Sequence, residues 1–307
     1  MKHTLLTLLF TALSWVIMNA QPTAGLVAYF PMNGNFNDAG PNAINGTNSG
    51  ATATTNYAGA ANAAMAFSNP TGTVVQYASH PINANVNFAT GQNFTVAFSF
   101  YMNSPWLHTG GFYDNGINHG GYGIWIWQEG GPTDYRIRIN CRGGSLASTP
   151  RPLATWQHVT CVRNGTTLSI HINGQLDASG PDGTGTTAYP YPARFGTMFY
   201  NFQSPPNYNG LNGRIDEMRF YNRALTAAEI SGMAGGALPV KLTSFTGSLK
   251  DDAVLLRWQT QYEQNSSHYI IERSTDGVNF TDAGRINAAG ISNNPLSYSY
   301  NDLLPAS

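Results

Sequence analysis

The sequence predicts an all-β protein, and three observations support this fold class. Short runs of alternating apolar and polar residues recur between residues 25 and 231, and Phe94–Met102 is the clearest of them. Turn-forming residues separate these runs, since the chain holds 33 glycines and 17 prolines. One helix start is recognisable, where Thr226 is followed three residues later by Glu229. We therefore expect a two-sheet jelly roll of roughly ten or more strands.

Composition and the N-terminal residues restrict the class of function. Only 10% of residues are charged and the net charge is −1, which argues against a nucleic-acid binder because such a protein needs a basic face. Lys2 and His3 precede the apolar run Leu5–Ile17, so residues 1–20 are predicted to be a signal peptide cleaved after Ala20. No later segment is predicted to span a membrane. We expect a secreted or cell-surface protein with no transmembrane segment in the mature chain.

The strands of the first domain can be predicted in chain order. Gly25–Pro31 is the first, and it leads into Met32–Asn42, a loop of Asn, Asp and Gly residues that favour turns. Further strands are expected at Ala64–Phe67, Val74–Tyr77, Phe94–Met102, Tyr122–Gln128 and Tyr135–Cys141. Trp156–Arg163 and Leu168–Asn173 should pair across Asn164-Gly165, a dipeptide typical of two-residue hairpin turns.

Aromatic residues supply the candidates for ligand binding. Trp125 and Trp127 are two residues apart on a predicted strand, so they share one face. That face is either a stacking platform for sugar rings or part of the core between the sheets, and the apolar area of tryptophan favours the core. Ser104–Gly121 is predicted to be one long loop, and long loops on a β scaffold often carry binding residues. Trp106, Tyr113 and Asp114 are therefore the predicted ligand-binding residues.

The chain has two cysteines, Cys141 and Cys161, and both fall in strands predicted to be neighbours. An oxidising compartment would allow a cross-strand disulfide between them. Two buried thiols are the equal alternative, because the sequence does not give the Cα separation on which a disulfide depends.

Gly213–Ile230 is predicted to close the first domain with a strand and a short helix. Thr226 and Glu229 can form a capping box, and Leu225 and Ile230 are placed to form a hydrophobic staple. Strand alternation puts Asp216 on the same face as Met218 and Phe220. Because a lone carboxylate beside a core is costly, we expect Asp216 to be hydrogen-bonded or bound to a cation.

Composition changes after this helix. Gly232–Ala237 is rich in glycine and alanine, so residues 232–238 are predicted to be a linker between a domain at 21–231 and a second domain at 239–307. Five strands are expected in the second domain, spaced as in an immunoglobulin-like sandwich. Five strands leave such a sandwich incomplete, with exposed sheet edges.

Three stretches of the first domain resemble a known family. Leu26–Gly46, Trp156–Leu176 and Gly213–Ile230 are similar, in this order, to the laminin G-like, concanavalin A-like jelly-roll domain of bacterial surface proteins. The chain departs from the usual pattern at Met32-Asn33, where Phe-Asp is common, and in its tryptophan-rich middle hairpin. The segment Leu238–Asp302 resembles an incomplete fibronectin type III-like module of Bacteroidota secreted proteins.

The resemblance also implies a metal site. Related jelly rolls often bind calcium where the first loop meets the last strand, so Asp216 would be the carboxylate ligand. The Asn37–Gly40 region would supply carbonyl oxygens, and Asp38 would be a further ligand. The calcium ion would be structural, because it would neutralise Asp216 and hold together the two ends of the domain.

The acidic residues do not predict an enzyme. The Glu-x-Asp-x-x-Glu spacing of laminarinase-type hydrolases and the Gly-x-Ser-x-Gly motif of serine hydrolases are both missing from the sequence. We therefore expect a non-catalytic binding module, with an extracellular glycan or a surface protein as its partner. The alternatives are a structural spacer or adhesin without a small ligand, and an accessory domain of a larger polysaccharide-degrading enzyme.

Overall fold

The structure is a computed structural model that describes residues 21–70, 76–103, 109–116, 121–129, 134–185, 192–198, 209–237, 242–250, 253–260, 263–274, 280–292 and 294–303. The predicted signal peptide lies outside these residues. The chain divides into two compact units, and the boundary in the sequence follows Ala237. Within the described ranges, no helix is long and apolar enough to cross a lipid bilayer.

The described part of the first unit consists of short strands and one helix. The strands are β1 Leu26–Phe30, β2 Thr47–Ser49, β3 Thr52–Thr54, β4 Ala64–Ser68, β5 Tyr77–His80, β6 Phe94–Met102, β7 Gly110–Asn115, β8 Tyr122–Gln128, β9 Tyr135–Cys141, β10 Gly144–Ala147, β11 Gln157–Asn164, β12 Thr167–Ile172, β13 Gln175–Pro181, β14 Ala193–Phe195 and β15 Asn212–Tyr221. The helix α1 is Ala227–Ala237. The all-β prediction is confirmed.

These strands form two antiparallel sheets. Sheet A has the order β13-β12-β11-β6-β15-β4-β3, and β1 also pairs with β15. Sheet B has the order β10-β9-β8-β7-β14-β5-β2. The predicted hairpin of β11 and β12 is present, with Asn164 paired to Thr167 at its turn.

The core lies between the two sheets and is rich in aromatic rings. The ring centres of Phe98 in sheet A and Phe112 in sheet B are 5.1 Å apart. Those of Tyr113 in sheet B and Phe220 in sheet A are 4.8 Å apart. All four side chains are fully buried. Each buried aromatic ring removes a large apolar area from water, so this layer is the main source of the stability of the unit.

A β-bulge changes the predicted faces of β15. Glu217 has a positive φ of 58°, and the pairing with β6 shifts register between Asp216 and Arg219. Ile215, Met218 and Phe220 all belong to the core as a result. The prediction that Asp216 shares a face with Met218 and Phe220 is therefore wrong, because a bulge inserts a residue and reverses the alternation beyond it.

The helix begins as predicted and ends later. Glu229 Oε2 accepts hydrogen bonds from the amide and the hydroxyl of Thr226, and the Glu229 amide donates to Thr226 Oγ1 at 3.3 Å. Leu225 and Ile230 pack in one cluster on the outer face of sheet A, which is consistent with the staple. The helix continues to Ala237, through most of the segment predicted as a linker. The three glycines of this segment disfavour a helix, so the continuation depends on packing, and Met233 is buried in the same cluster.

The two cysteines lie on different sheets. Cys141 is the last residue of β9 in sheet B, and Cys161 is in β11 of sheet A, so the predicted neighbouring strands are not neighbours. Both residues are buried and free. Burial also raises the pKa of the Cys141 thiol to about 12, so it stays protonated at neutral pH.

The second unit contains β16 Leu242–Lys250, β17 Ala253–Thr260, β18 Glu263–Arg273, β19 Thr281–Ser292 and β20 Leu296–Leu303. Strands β16, β17 and β20 form one sheet, and β18 and β19 form another. Trp258 is buried, and its ring centre lies 5.4 Å from that of Tyr269 and 5.6 Å from that of Tyr298. Five strands in two sheets agree with the sequence prediction.

Candidate functional site

The two tryptophans of β8 lie on the outer face of sheet B. Ile124 and Ile126 belong to the core between the sheets, so Trp125 and Trp127 project from the opposite face. The preferred interpretation, in which both tryptophans form inter-sheet core, is therefore wrong. The alternation alone could not decide it, because strands of a sandwich can cover either face with large side chains.

Trp127 is the more accessible of the two, with 38% of its surface exposed. Arg136 is its direct partner on β9, and the guanidinium of Arg138 lies 6.0 Å from the Trp127 ring centre. Trp125 is buried against Met198, and its Nε1 has no hydrogen-bond partner among the described residues. Along the strand, the two ring positions are separated by about 7 Å.

A network of charges surrounds Trp127. Arg136 Nε lies 3.0 Å from Glu129 and 2.8 Å from Asp134, and Arg138 also pairs with Glu129. Hydrogen bonding to Asp134 is the main reason that the pKa of Arg136 is raised. We define the Trp127 face as Trp127, Arg136, Arg138, Glu129 and Asp134. It combines an aromatic ring with fixed hydrogen-bonding groups whose charges balance.

The ligand-binding residues predicted from the sequence lie elsewhere. Trp106 is outside the described residues. Tyr113 belongs to β7 rather than to a loop, is fully buried and bonds through its hydroxyl to His80 Nε2 at 2.9 Å. Asp114 is also buried, and its Oδ1 accepts from the Gly116 amide at 2.8 Å. Neither residue is available to a ligand, because the predicted long loop contains a strand that enters the sandwich.

Asp216 is buried on the outer face of sheet A, in a row with Ser99 and His158. Ser99 pairs with Asp216 on one side and with His158 on the other. Both carboxylate oxygens of Asp216, the Ser99 hydroxyl and His158 Nδ1 have no hydrogen-bond partner of normal geometry among the described residues. Such groups are costly to bury when charged.

Burial accordingly changes the protonation of this row. It raises the pKa of Asp216 to about 8, and the charge of Glu217 adds to the effect, whereas Arg219 and Asn56 act in the opposite direction. Burial also lowers the pKa of His158 to about 3, with a further contribution from Arg219. Both side chains are therefore mainly neutral at pH 7.

The predicted first-loop ligands of calcium have other roles. Asp38 Oδ1 accepts from the amides of Tyr29 and Gly40, and Oδ2 accepts from the amide of Ile44, all at 2.7–2.8 Å. Asn37 has an exposed side chain. Asp38 thus stabilises the loop as an acceptor of backbone N–H groups and does not fit the role of a calcium ligand. Asp216 keeps oxygen acceptors that a cation could use, but among the described residues no group of three or more acidic, histidine or cysteine side chains is placed to hold a metal ion.

The family model described as the concanavalin A-like lectin/glucanases superfamily, of laminin G type, matches residues 71–231. The chain belongs to this superfamily. No curated protein sequence matches it.

Solved structures share the fold at low sequence identity. Domain 4 of an extracellular arabinanase from Geobacillus stearothermophilus, solved with arabinotriose, is 16% identical with a TM-score of 0.51; the match covers 69% of this chain and 98% of that domain. The binding domain of Paraclostridial Mosquitocidal Protein 1 is 14% identical with a TM-score of 0.53, and the match covers 84% of this chain and 67% of that one. The binding domain of botulinum neurotoxin serotype D is 11% identical with a TM-score of 0.51, and the match covers 85% of this chain and 70% of that one.

The sequence contained a signal for the Trp127 face that the sequence analysis missed. Arg136 and Arg138 alternate with Ile137 and Ile139 on β9, so their charges had to lie on the face opposite the core. Since β9 was predicted to form a hairpin with β8, this alternation indicates that the neighbouring tryptophans point outward as well.

Proposed function

We propose that the first unit is a non-catalytic carbohydrate-binding domain, and that the Trp127 face binds a neutral sugar. The observation that carries the proposal is an accessible tryptophan on an otherwise well-packed sheet, bordered by side chains held in ion pairs. A sugar ring has an apolar C–H face that can pack on an indole. Its hydroxyls can bond to guanidinium and carboxylate groups at the rim.

The balance of charge favours a neutral ligand. Arg136 and Arg138 share Glu129, and Arg136 also binds Asp134. An anionic ligand would have to compete with these carboxylates for the guanidinium groups. Hydroxyl groups can use the remaining N–H donors and carboxylate lone pairs without breaking an ion pair.

The same contacts support a non-catalytic role. Glu129 and Asp134 are brought close together because both bind Arg136 Nε. A glycosidase needs one of two carboxyl groups as a proton donor. Both carboxyl groups are instead bound to arginines, so neither is positioned as a free proton donor. The related structures described above as binding domains also support a binding function.

The proposal is tested by affinity electrophoresis of the mature chain in gels that contain neutral polysaccharides such as arabinan, galactan or laminarin. We expect retardation in at least one polysaccharide, and a loss of affinity of about tenfold or more for Trp127→Ala, which corresponds to ~1.4 kcal/mol. Trp127→Phe keeps an aromatic face and should retain part of the affinity. Leu176→Ala, which removes an exposed apolar side chain on sheet A, is the matched control.

Two results would contradict the proposal. One is an absence of retardation in every polysaccharide, which would favour the alternative of a spacer or adhesin. The other is unchanged affinity in Trp127→Ala. Release of reducing sugar that persists after repurification and disappears in Glu129→Gln or Asp134→Asn would favour an enzyme instead.

We further propose that the chain is exported and that Asp216 is the carboxylate ligand of a structural calcium ion. The apolar N-terminal run supports export, and the unpartnered oxygens of Asp216 support the cation. Calcium should raise the melting temperature and a chelator should lower it. If neither has an effect, Asp216 functions as a neutral acid. Cleavage after Ala20, read by N-terminal sequencing of the secreted protein, tests export.

A further inference from the structure

A second aromatic surface lies on the opposite side of the sandwich, on the outer face of sheet A. Tyr57, Tyr101, Trp156 and Arg214 form it, and we name these four residues the sheet A shelf. The ring centres of Tyr101 and Trp156 are 5.7 Å apart, those of Tyr57 and Trp156 are 6.4 Å apart, and the Arg214 guanidinium lies 4.7 Å above the Tyr101 ring. All four side chains are partly exposed.

Arg214 differs from most arginines of this unit. Arg163, Arg219 and Arg223, for example, each bind a carboxylate. Arg214 forms no ion pair or hydrogen bond with any described residue. Its guanidinium instead makes a cation–π contact with the Tyr101 ring. Stacking fixes the plane of the guanidinium, and its N–H donors have no partner among the described residues, so they can serve a ligand.

The surroundings of Arg214 leave room for a ligand. Its neighbours across the sheet are Tyr101 on β6 and Ala66 on β4, and Ala66 in turn pairs with Thr52. Ala66 is partly exposed and Thr52 is exposed, so small side chains border the guanidinium on the side away from Trp156. The sheet A shelf therefore presents a flat aromatic surface, a fixed guanidinium cation and a border of small side chains.

We propose that the sheet A shelf binds an acidic sugar residue, with the sugar ring packed on Trp156 and its carboxylate bound by Arg214. A planar guanidinium can donate two parallel N–H bonds to a carboxylate, which gives orientation as well as affinity. The indole supplies the apolar surface for the C–H face of the same ring. An acidic peptide would use the arginine but would have no need of the neighbouring aromatic rings.

The two faces should therefore select different glycans. On the Trp127 face both arginines are already paired with Glu129, whereas the single arginine of the sheet A shelf has no acidic partner in the part of the chain that the structure describes. This inference does not depend on neutral-sugar binding at Trp127, because the two surfaces lie on opposite sheets. One chain could bind two regions of a mixed polysaccharide.

The test uses isothermal titration of the mature chain with α-1,4-linked galacturonic acid oligosaccharides. The fully methyl-esterified form of the same oligosaccharides is the matched ligand, because it keeps the rings and removes the negative charge. We expect the acid form to bind at least tenfold more tightly than the ester. Arg214→Gln should remove this difference, and Trp156→Ala should weaken both forms.

Two variants separate a local effect from a folding defect. Arg214→Lys keeps the positive charge but loses the paired donors, so it should bind with intermediate affinity and fold normally. Trp127→Ala should leave the binding of the acid form unchanged. Equal affinity for acid and ester, or tight acid binding that persists in Arg214→Gln, would overturn the inference. Loss of acid binding in Trp127→Ala would place the ligand on sheet B and overturn it as well.

Discussion

The two outer faces of the sandwich are covered in different ways. On sheet A, the helix Ala227–Ala237 packs over Ala97, Val162 and Tyr221, and the buried row of Asp216, Ser99 and His158 lies beside this cluster. On sheet B, the hairpin of β8 and β9 presents Trp127 and its ion pairs to solvent. The two sheets share one core, so the difference arises entirely from what the chain places outside them.

The helix covers only part of sheet A, and in that covered part the residues serve stability rather than binding. Side chains beneath the helix are buried and contribute through packing, whereas the ion pairs around Trp127 are partly exposed and contribute little to folding. A charged group on sheet B is therefore free to serve a ligand. A charged group buried at the edge of the sandwich or beneath the helix has a large effect on stability.

The largest effect is expected at the edge where the sheets meet. The side chain of Asp182 is almost fully buried, and its Oδ2 lies 2.6 Å from Nε of Arg163 in sheet A and 3.2 Å from Nη1 of Arg142, which follows β9 of sheet B. Asp182→Ala leaves two poorly exposed guanidinium groups without this partner, so the free energy of unfolding should fall by about 3–5 kcal/mol. Urea unfolding followed by tryptophan fluorescence measures it. A loss below 1 kcal/mol would show that water replaces the carboxylate.

The next effect concerns the pH dependence of the buried row on sheet A. The pKa of Asp216 rises from 3.8 in an unperturbed carboxyl to about 8, so the folded state retains a proton that the unfolded state loses. Stability therefore falls as pH rises between these values. The pKa of His158 falls from 6.5 to about 3, which makes stability fall as pH drops below 6.5.

The effects of Asp216 and His158 on stability oppose each other between about pH 4 and 6.5. Of these two groups, only Asp216 changes the stability between about pH 6.5 and 8. In EDTA, the free energy of unfolding should fall there by up to about 1.4 kcal/mol per pH unit. Asp216→Asn should abolish this slope. Bound calcium should also abolish it in the unmodified protein, because the cation holds Asp216 ionised. A slope that persists in Asp216→Asn would assign it to another group.

A smaller effect is expected at the start of the helix. Thr226→Ala removes the oxygen that caps the Glu229 amide, so the unit should lose about 1 kcal/mol of stability. Thr226→Ser keeps that oxygen and is the control. Thermal unfolding compares the two variants, and equal melting temperatures for them would show that the capping box does not stabilise the covered face.

The smallest effect on stability is expected at Glu129 on the open face. Its carboxylate is partly exposed, so Glu129→Ala should change the free energy of unfolding by less than about 1 kcal/mol. Binding of a neutral polysaccharide should nevertheless weaken, because Arg136 and Arg138 lose a shared partner. Denaturation and affinity electrophoresis of the same sample check both parts. A large loss of stability would make this network structural rather than ligand-binding.

Some of the site could be predicted from local pattern and some could not. The capping box at Thr226 was correct because it depends on residues three positions apart. The burial of Tyr113 and Asp114 was not predicted, because the segment interpreted as one long loop contains the six-residue strand β7. Trp106 stays a prediction outside the described residues. Arg214 was not singled out, since its stack on Tyr101 joins residues 113 positions apart in the sequence.

The sequence by itself determined the all-β class, the start of the helix, the two-unit organisation and the family. These features follow from alternation, turn residues and capping, which act over a few positions along the chain. Tertiary structure decided which face of each strand is covered. A single bulge at Glu217 moved Asp216 out of the core face, and the pairing of β8 with β9 placed Trp127 among charges on the outside. Sheet order and the position of a bulge depend on contacts distant in sequence, and local alternation alone does not supply them.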